Sequence, residues 1–516
     1  MEMQRITKNL STLLVGMVRT PDLIGNTYVT SVSMDSRELD KGGLFIATAK
    51  DINQRALHFK EAIEKRAKAI LFDQLLPLSE KEIHCLAIAK VHTIKMVNLS
   101  AKVSEIAARF YGHPSLALTI IAVTGTNGKT SVSNFIAQCL ESSGYECGLI
   151  GTLGIGRLEG LIDSGMTTPN PVSLQAKLAE FYHQKITYVV IEASSHALEQ
   201  GRLNSVAVDV AVLTNLSREH LDYHKGMARY QKAKKLLFDF DSVNTAVVNM
   251  DDEFGQSLIG SLTNRKGLTL ITYGSELRNM TLIAKNVQAS LKGLKFTIAS
   301  KAEAGQVDCD VVGHFNIDNL LAAAGSLLAI EIPFNVVLNL INQCHDIDGR
   351  MQMLGNKEQT SVVIDFAHTP DALEKTLKSL RLLMHKEGQL WCVFGCGGER
   401  DLGKRSLMGS KAEQHADQIV LTTDNSRSES NKAIVAEISK GIKRQDNVHI
   451  EHDRKQAITY AINNAKHQDI VLIAGKGHEQ YQEIAGKKHL FSDREIALGA
   501  LEAANDERSM SIGLQK

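Results

Sequence analysis

Apolar residues along this chain fall into short β-branched runs, separated by stretches where they recur every three or four positions. Runs at 118–123, 187–192, 206–214 and 244–249 read as strands. Between the first two, Val132, Phe135, Ile136, Cys139 and Leu140 share one face of a helix over 131–143. The style repeats after about 346, with strands at 361–365, 390–394, 418–422 and 469–474. Before 98, strand-like runs at 43–47 and 69–72 flank a helical segment over 59–68. Such alternation predicts parallel sheets flanked by helices, an α/β fold. Three blocks follow: 1–97, a small α/β unit; 98–345, a mostly parallel sheet; and 346–516, a doubly wound, Rossmann-like domain. Gly112 and Pro114 break the chain just ahead of the strand at 118–123. The polar tail after Asn505 is expected to fray.

Composition supports this division, since 516 residues suffice for about three domains. Lysine plus arginine equals aspartate plus glutamate at 58 each, which argues against bulk nucleic-acid binding. An anionic ligand must be held by local charges. The seven cysteines are scattered without a C-x-x-C pair, so neither a zinc site nor a disulfide framework is indicated. A reducing, cytoplasmic setting fits. Arg5, Lys8 and Arg19 interrupt the N-terminal stretch, and no signal peptide is expected. No apolar run approaches the roughly 20 residues of a membrane span. A monomer acting on small molecules is expected.

The chemistry starts at Thr124-Gly125-Thr126-Asn127-Gly128-Lys129-Thr130, where an apolar strand runs into a glycine turn and then a helix. Glycines let backbone N–H groups close around a polyphosphate, Lys129 supplies charge to the β/γ-phosphates, and the Thr130 hydroxyl can ligate Mg²⁺. The helix N-terminus adds a favourable field. Val123 occupies the first glycine position of the common phosphate-loop pattern, and Gly125 sits inside the loop. A nucleoside triphosphate, ATP, is the expected ligand. Glu192 ends the strand over 187–192, where a carboxylate beside a phosphate loop commonly reaches Mg²⁺. In the last block three strand ends carry polar loops: 395–405 with Arg400, Asp424-Asn425-Ser426-Arg427, and Gly475 to Glu479. Arg400 and Arg427 with Asp424 and Glu479 there suit a ligand bearing both carboxylate and ammonium groups.

The T-G-T-N-G-K-T string, together with E-x-S-S-H-x-L-x-Q-x-R from Glu192 to Arg202, resembles the Mur ligases, ATP-dependent amide ligases of peptidoglycan assembly. The resemblance implies that His220, in H-L-D-Y-H, ligates a second Mg²⁺. Residue pattern alone reads Lys232, Lys234 and Lys235 as a solvated helix face. By resemblance, Y-x-x-A-K-x-x-L-F makes Lys234 a carbamylated lysine, a carboxylate-like metal ligand. It further implies adenine contact for Asn316, phosphate contact for Arg350 and a position near the ribose for Asp365.

At the front, Ser33-Met34-Asp35-Ser36-Arg37 resembles the uridine-site string of the family member that adds the third peptide residue. Met34 and Ser36 would contact the uracil nucleotide. Thr167, Thr168, Ser194, Gln200 and Arg202 would contact the muramoyl peptide. Lys50 to Asn53 departs from the Gly-rich turn usual in the family. In that member D-N-P-R marks diaminopimelate addition. Here it reads D-N-S-R, which keeps Arg427 and loses a residue of fixed φ. The implied reaction adds meso-2,6-diaminopimelate to the D-glutamate γ-carboxylate of UDP-N-acetylmuramoyl-L-alanyl-D-glutamate, through an acyl phosphate, with ATP and two Mg²⁺. A lysine-adding relative, the ligase for the next step, a folylpolyglutamate synthetase and a non-catalytic ATP-binding regulator are the alternatives.

Overall fold

The computed structural model describes residues 6–18, 26–49, 51–274, 280–355 and 360–513. Lys50, in the departing turn, lies outside them. The chain divides into two compact units, one of 1–122, 144–211 and 233–244, the other of 123–143, 212–232 and 245–516.

In the first unit, strands Val32–Ser33, Leu44–Ala47, Ala69–Asp73 and His92–Met96 form a parallel sheet in that order. Alternate residues face opposite sides. Leu44, Ile46, Leu71 and Met96 pack with Leu13, Val103 and Ile106, whereas Phe45, Ile70 and Phe72 pack with Phe59 and Leu86. The helix expected over 59–68 runs instead over Ile52–Glu64. Asp51 starts it by accepting from the Gln54 N–H, and left-handed Arg66 follows its end. Buried Arg55 grips Glu82 at 2.8 Å and the Leu76 and Pro77 carbonyls, joining this helix to Glu80–Ala89. The same unit holds strands Gly154–Gly156, Cys147–Gly151, Tyr188–Glu192 and most of Thr119–Thr124, adjacent in that order.

In the second unit, Val212–Leu213 leads to strands Thr245–Asn249, Thr269–Gly274, Leu282–Ser290, Gly293–Ala299 and Ala304–Cys309. The last three pair antiparallel, an extension the sequence reading had left unassigned. The C-terminal sheet has the strand order Gln352–Leu354, Ser361–Asp365, Ile470–Ala474, Leu390–Phe394, Gln418–Leu421 and Val448–Ile450. All its pairs are parallel except the first. It is buried on both faces, by clusters around Leu373, Leu377 and Met408 and around Ile458, Ile462 and Ala497. A hairpin, Tyr481–Ile484 with Lys487–Leu490, stands beside it. The terminal helix begins at Asp493 and continues to Gly513 rather than ending near Asn505. With the N-terminal sheet, the sheet built on Thr119–Thr124 and this one, the architecture is a three-domain α/β fold. No helix among the described residues is long and apolar enough to cross a membrane.

Candidate active site

Helix Lys129–Ser142 starts at Gly128, whose φ is +86°. It is buried on nearly every side, Ser131, Ser133, Asn134 and Gln138 included. Three of these polar residues are satisfied by backbone groups: Ser133 donates to the Lys129 carbonyl, Asn134 donates to that of Thr130, and Gln138 exchanges bonds with the His345 backbone. The loop ahead of it fits too closely for side chains. A Cβ at Gly125 would lie 1.8 Å from Thr214 Oγ1, and one at Gly128 would lie 2.4 Å from Asn319 Oδ1.

Segment 214–217 braces the loop. Thr214 Oγ1 donates to the Asn127 carbonyl at 2.6 Å, the Asn127 N–H donates to Asn215 Oδ1 at 3.0 Å, and the Ser217 N–H donates to Thr126 Oγ1 at 2.9 Å. Asn127 also donates to Asp371 at 2.8 Å. Lys129 Nζ lies across its own loop, 3.0 Å from the Gly125 and Thr126 carbonyls. Arg350 donates to Thr130 Oγ1 at 3.0 Å, its guanidinium 4.3 Å over the Phe366 ring. Asn316 is buried, donating to the Val312 carbonyl and accepting from Asn319. Buried Asp365 accepts from the Met351 and Ala367 N–H groups and from Thr376. Burial pushes its carboxyl above the ordinary range, although Arg350 opposes this.

His220 is left-handed and half exposed, and its ring meets Tyr230 edge-on. Its neighbour Glu219 was not singled out in the sequence, yet it accepts from His368 at 3.0 Å. Burial alone would raise the Glu219 carboxyl. The bond from His368 and the charges of His220, His368 and Lys129 outweigh burial and hold it well below the usual carboxylate range. His368 lies three residues after the strand Ser361–Asp365, and a search for polar side chains just beyond strand ends would have found it. Asn319 and Lys476 were likewise missed, the second although it lies within the quoted Gly475–Glu479 stretch.

The first unit gathers a different set. Glu192 is fully buried, accepting from the Thr152 N–H at 2.8 Å and the Thr152 hydroxyl at 3.0 Å. Space for it exists because residue 151 is glycine, where a Cβ would stand 2.3 Å from Glu192 Oε1. Thr152 also touches Thr167 at 3.1 Å, Thr168 donates to the Glu192 carbonyl, and Thr168 and Ser194 share a bond of 3.1 Å. Arg202 donates to the Thr168 carbonyl and to Gln200. All five residues expected at the muramoyl peptide thus join one network with Glu192. Met34 packs on a cluster that includes Val172, while Ser36 donates to Glu61 at 2.5 Å. Lys234 corrects the pattern-based reading: it is 1% exposed, while Lys232 is exposed and Lys235 half-buried.

The C-terminal loops converge. Asn425 donates to Glu479 at 2.7 Å, and Lys476 Nζ bonds Asn425 Oδ1 at 3.1 Å and Glu479 at 2.7 Å. A Cβ on Gly475, φ +114°, would sit 2.6 Å from Asp424. Burial opposes ionisation of Asp424, but Lys476 and Arg454 hold its carboxyl below the ordinary range. Arg400 and Arg427 flank Gly397, and Ser426 is buried beneath them in the loop. The arrangement brings the Arg427 guanidinium and the Asp424 and Glu479 carboxylates onto neighbouring loops.

The Mur ligase middle domain matches residues 123–327, and the Mur ligase glutamate ligase domain matches residues 349–477. The UDP-N-acetylmuramoyl-L-alanyl-D-glutamate–2,6-diaminopimelate ligase of Coxiella burnetii is 43% identical over 486 residues, 93% of this chain and 97% of that one. The enzyme of that name from Pseudomonas putida is 40% identical over 506 residues, 96% of this chain and 99% of its own. A solved structure of a ligase with this name superimposes with a TM-score of 0.69 at 34% identity, covering 97% of this chain and 99% of that one. Likeness of that degree from end to end leaves one conclusion, that the chain belongs to the Mur ligase family.

Proposed function

We propose that this chain is the ATP-dependent ligase that joins meso-2,6-diaminopimelate to the D-glutamate γ-carboxylate of UDP-N-acetylmuramoyl-L-alanyl-D-glutamate, forming a C–N bond in peptidoglycan precursor synthesis. The observation that carries this reading is the C-terminal cluster of Asp424, Asn425, Arg427, Gly475 and Glu479, whose charges suit a diamino acid. The domain boundaries near 97 and 345 belong to the same proposal.

The loop 124–130, with two positions closed to any Cβ, is a fit for a triphosphate. Lys129 stands at the helix N-terminus, where it would offset charge as the γ-phosphoryl passes to the substrate carboxylate. Asn316 is assigned to the adenine, Arg350 to the phosphates and Asp365 to the ribose side. Thr167, Thr168, Ser194, Gln200 and Arg202 orient the muramoyl dipeptide, and Met34 and Ser36 its uridine. Arg427 and Arg400 bind the free carboxylates of the diamino acid, and Asp424 and Glu479 its ammonium. The positioned amine then displaces phosphate from the acyl phosphate, and proximity supplies much of the acceleration.

Thr130, Glu192, His220 and Lys234 are the residues assigned to two Mg²⁺ ions, a donor chemistry of hydroxyl, carboxylate and imidazole that a carbamate at Lys234 completes. Burial of Lys234 supports this, because CO₂ adds to the neutral amine and burial disfavours an ammonium. Bound Mg²⁺ would neutralise phosphate charge. We also place the enzyme in the cytoplasm as a monomer. Seven cysteines, none in a disulfide, fit that compartment.

The test is phosphate release with ATP, Mg²⁺ and the UDP-muramoyl dipeptide, comparing meso-diaminopimelate with L-lysine. Turnover with diaminopimelate alone is expected. Preference for lysine would refute the specificity, and release with neither would refute the activity.

A further inference from the structure

Loop 423–427 lacks a proline at 426, yet Thr423, Asp424, Asn425 and Ser426 are all buried. Arg427 follows with φ +52°, a conformation disfavoured for any residue with a Cβ. A geometry that the loop does not impose on itself must be imposed by what surrounds it.

The hairpin strand Tyr481–Ile484 supplies much of the constraint, beside the bonds of Asn425 to Glu479 and Lys476. Buried Gln482 donates from Nε2 to Thr423 Oγ1 at 3.0 Å and to the Asp424 carbonyl at 3.2 Å. The Glu483 N–H donates to Asn425 Oδ1 at 2.8 Å, and the Arg427 N–H donates to the Glu483 carbonyl at 3.1 Å. Arg427 and Ile484 form an isolated parallel bridge. The Glu483 carboxylate stands 3.4 Å from Arg427 Nε, and Arg427 Nη1 donates to the Gly398 carbonyl at 2.6 Å. Two consecutive hairpin residues therefore hold every residue of the loop except Ser426. Glu483 also engages the guanidinium at Nε while the Gly398 carbonyl engages it at Nη1, so the group that would grip a carboxylate is held on two sides.

We propose that Gln482 and Glu483 are positioning residues for the amino-acid substrate: clamped to the loop from outside, they take over the stiffening that a proline at 426 would give, and they aim Arg427. The proposal rests on the assignment of Arg427 to the incoming diamino acid. Gln482→Leu leaves a side chain of broadly similar size and removes the donor. With each of the three substrates varied in turn, the KM for the amino acid should rise about tenfold while kcat changes less than about twofold. The KM values for ATP and for the UDP-muramoyl dipeptide should stay as in the wild type. Adding Ser426→Pro should recover most of the loss, since the ring fixes φ from within the loop. Glu483→Gln keeps both backbone bonds and should raise the same KM, by less. An unchanged amino-acid KM, a parallel rise in all three, or no rescue by Ser426→Pro would overturn the proposal. If Gln482→Leu does not fold, Glu483→Gln decides alone, an unchanged amino-acid KM overturning it. Each variant is measured with whichever diamino acid the wild type ligates. A wrong substrate therefore shows in the wild type, and a wrong positioning role only in the variants.

Discussion

Arg454 and Asp493 are both wholly inaccessible to solvent, and they meet through two bonds, Nε to Oδ1 at 2.8 Å and Nη2 to Oδ2 at 2.7 Å. Arg454 also donates to the Thr423 carbonyl at 3.3 Å and to the Ala474 carbonyl at 2.9 Å, so it ties the terminal helix to two strand ends. Arg454→Met leaves the buried Asp493 carboxylate without this donor and removes the bonds to both carbonyls. Breaking one side of a buried pair costs about 3–5 kcal/mol. For a domain near 150–250 residues each kcal/mol lowers the midpoint by about 2–4 °C, so a fall of roughly 6–20 °C is expected. The chain has one tryptophan, Trp391, buried in a strand of this same sheet and bonded to Asp469. Its fluorescence reports this domain's melting without contribution from the others. Replacing both partners, Arg454→Met with Asp493→Leu, should recover at least half of the loss, because an apolar pair avoids the stranded charge. A fall below about 3 °C, or a double variant no more stable than the single one, would refute the argument.

Three further outcomes follow. Glu219 has its carboxyl depressed in the folded protein, so its contribution to stability is present above the ordinary pKa of about 4.3 and fades as pH falls through the lower folded value. Glu219→Gln should therefore lower the midpoint at pH 7 and narrow the difference from wild type in strong acid; a difference independent of pH would contradict the pairing with His368. Gly128→Ala forces a Cβ to 2.4 Å from Asn319 Oδ1 at φ +86°, which adds about 1–2 kcal/mol of backbone strain and opens the loop. Calorimetric titration should show ATP binding lost while the fold stays intact, and full affinity would disprove the close fit. Lys234→Ala should lose turnover and regain part of it with added formate or acetate, whereas a variant insensitive to small carboxylates would speak against a carbamate.

The strand and helix around the glycine loop were readable because their signals are local. The strand expected at 118–123 is Thr119–Thr124, and the helix expected from 131 begins at Lys129. Strands 361–365 and 390–394 coincide with those observed, since an apolar run bounded by polar turns is unambiguous when both faces are buried. The antiparallel strands after 282 went unassigned because their signal is quieter: Leu294, Phe296 and Ile298 are buried, Lys295 is exposed and Thr297 is half-buried, a period of two without a long apolar run. Lys234 was not legible. Three lysines in one helix look alike until the packing decides which of them turns inward. The contact of Glu219 with His368 spans 149 residues, a distance over which one sequence carries no pairing signal.

The vacancy beside Glu192 has a consequence for sorting relatives. Gly151 and Glu192 act as a single unit across two neighbouring strands, since the carboxylate fills the volume that a methyl group would take. In any homologue, alanine or a larger residue at 151 implies a displaced or different residue at 192. A chain showing that exchange has rebuilt the corner where Thr152, Thr168 and Ser194 meet. The pair of positions, read together, therefore screens for members of this fold that have repacked this corner, at the cost of reading two letters.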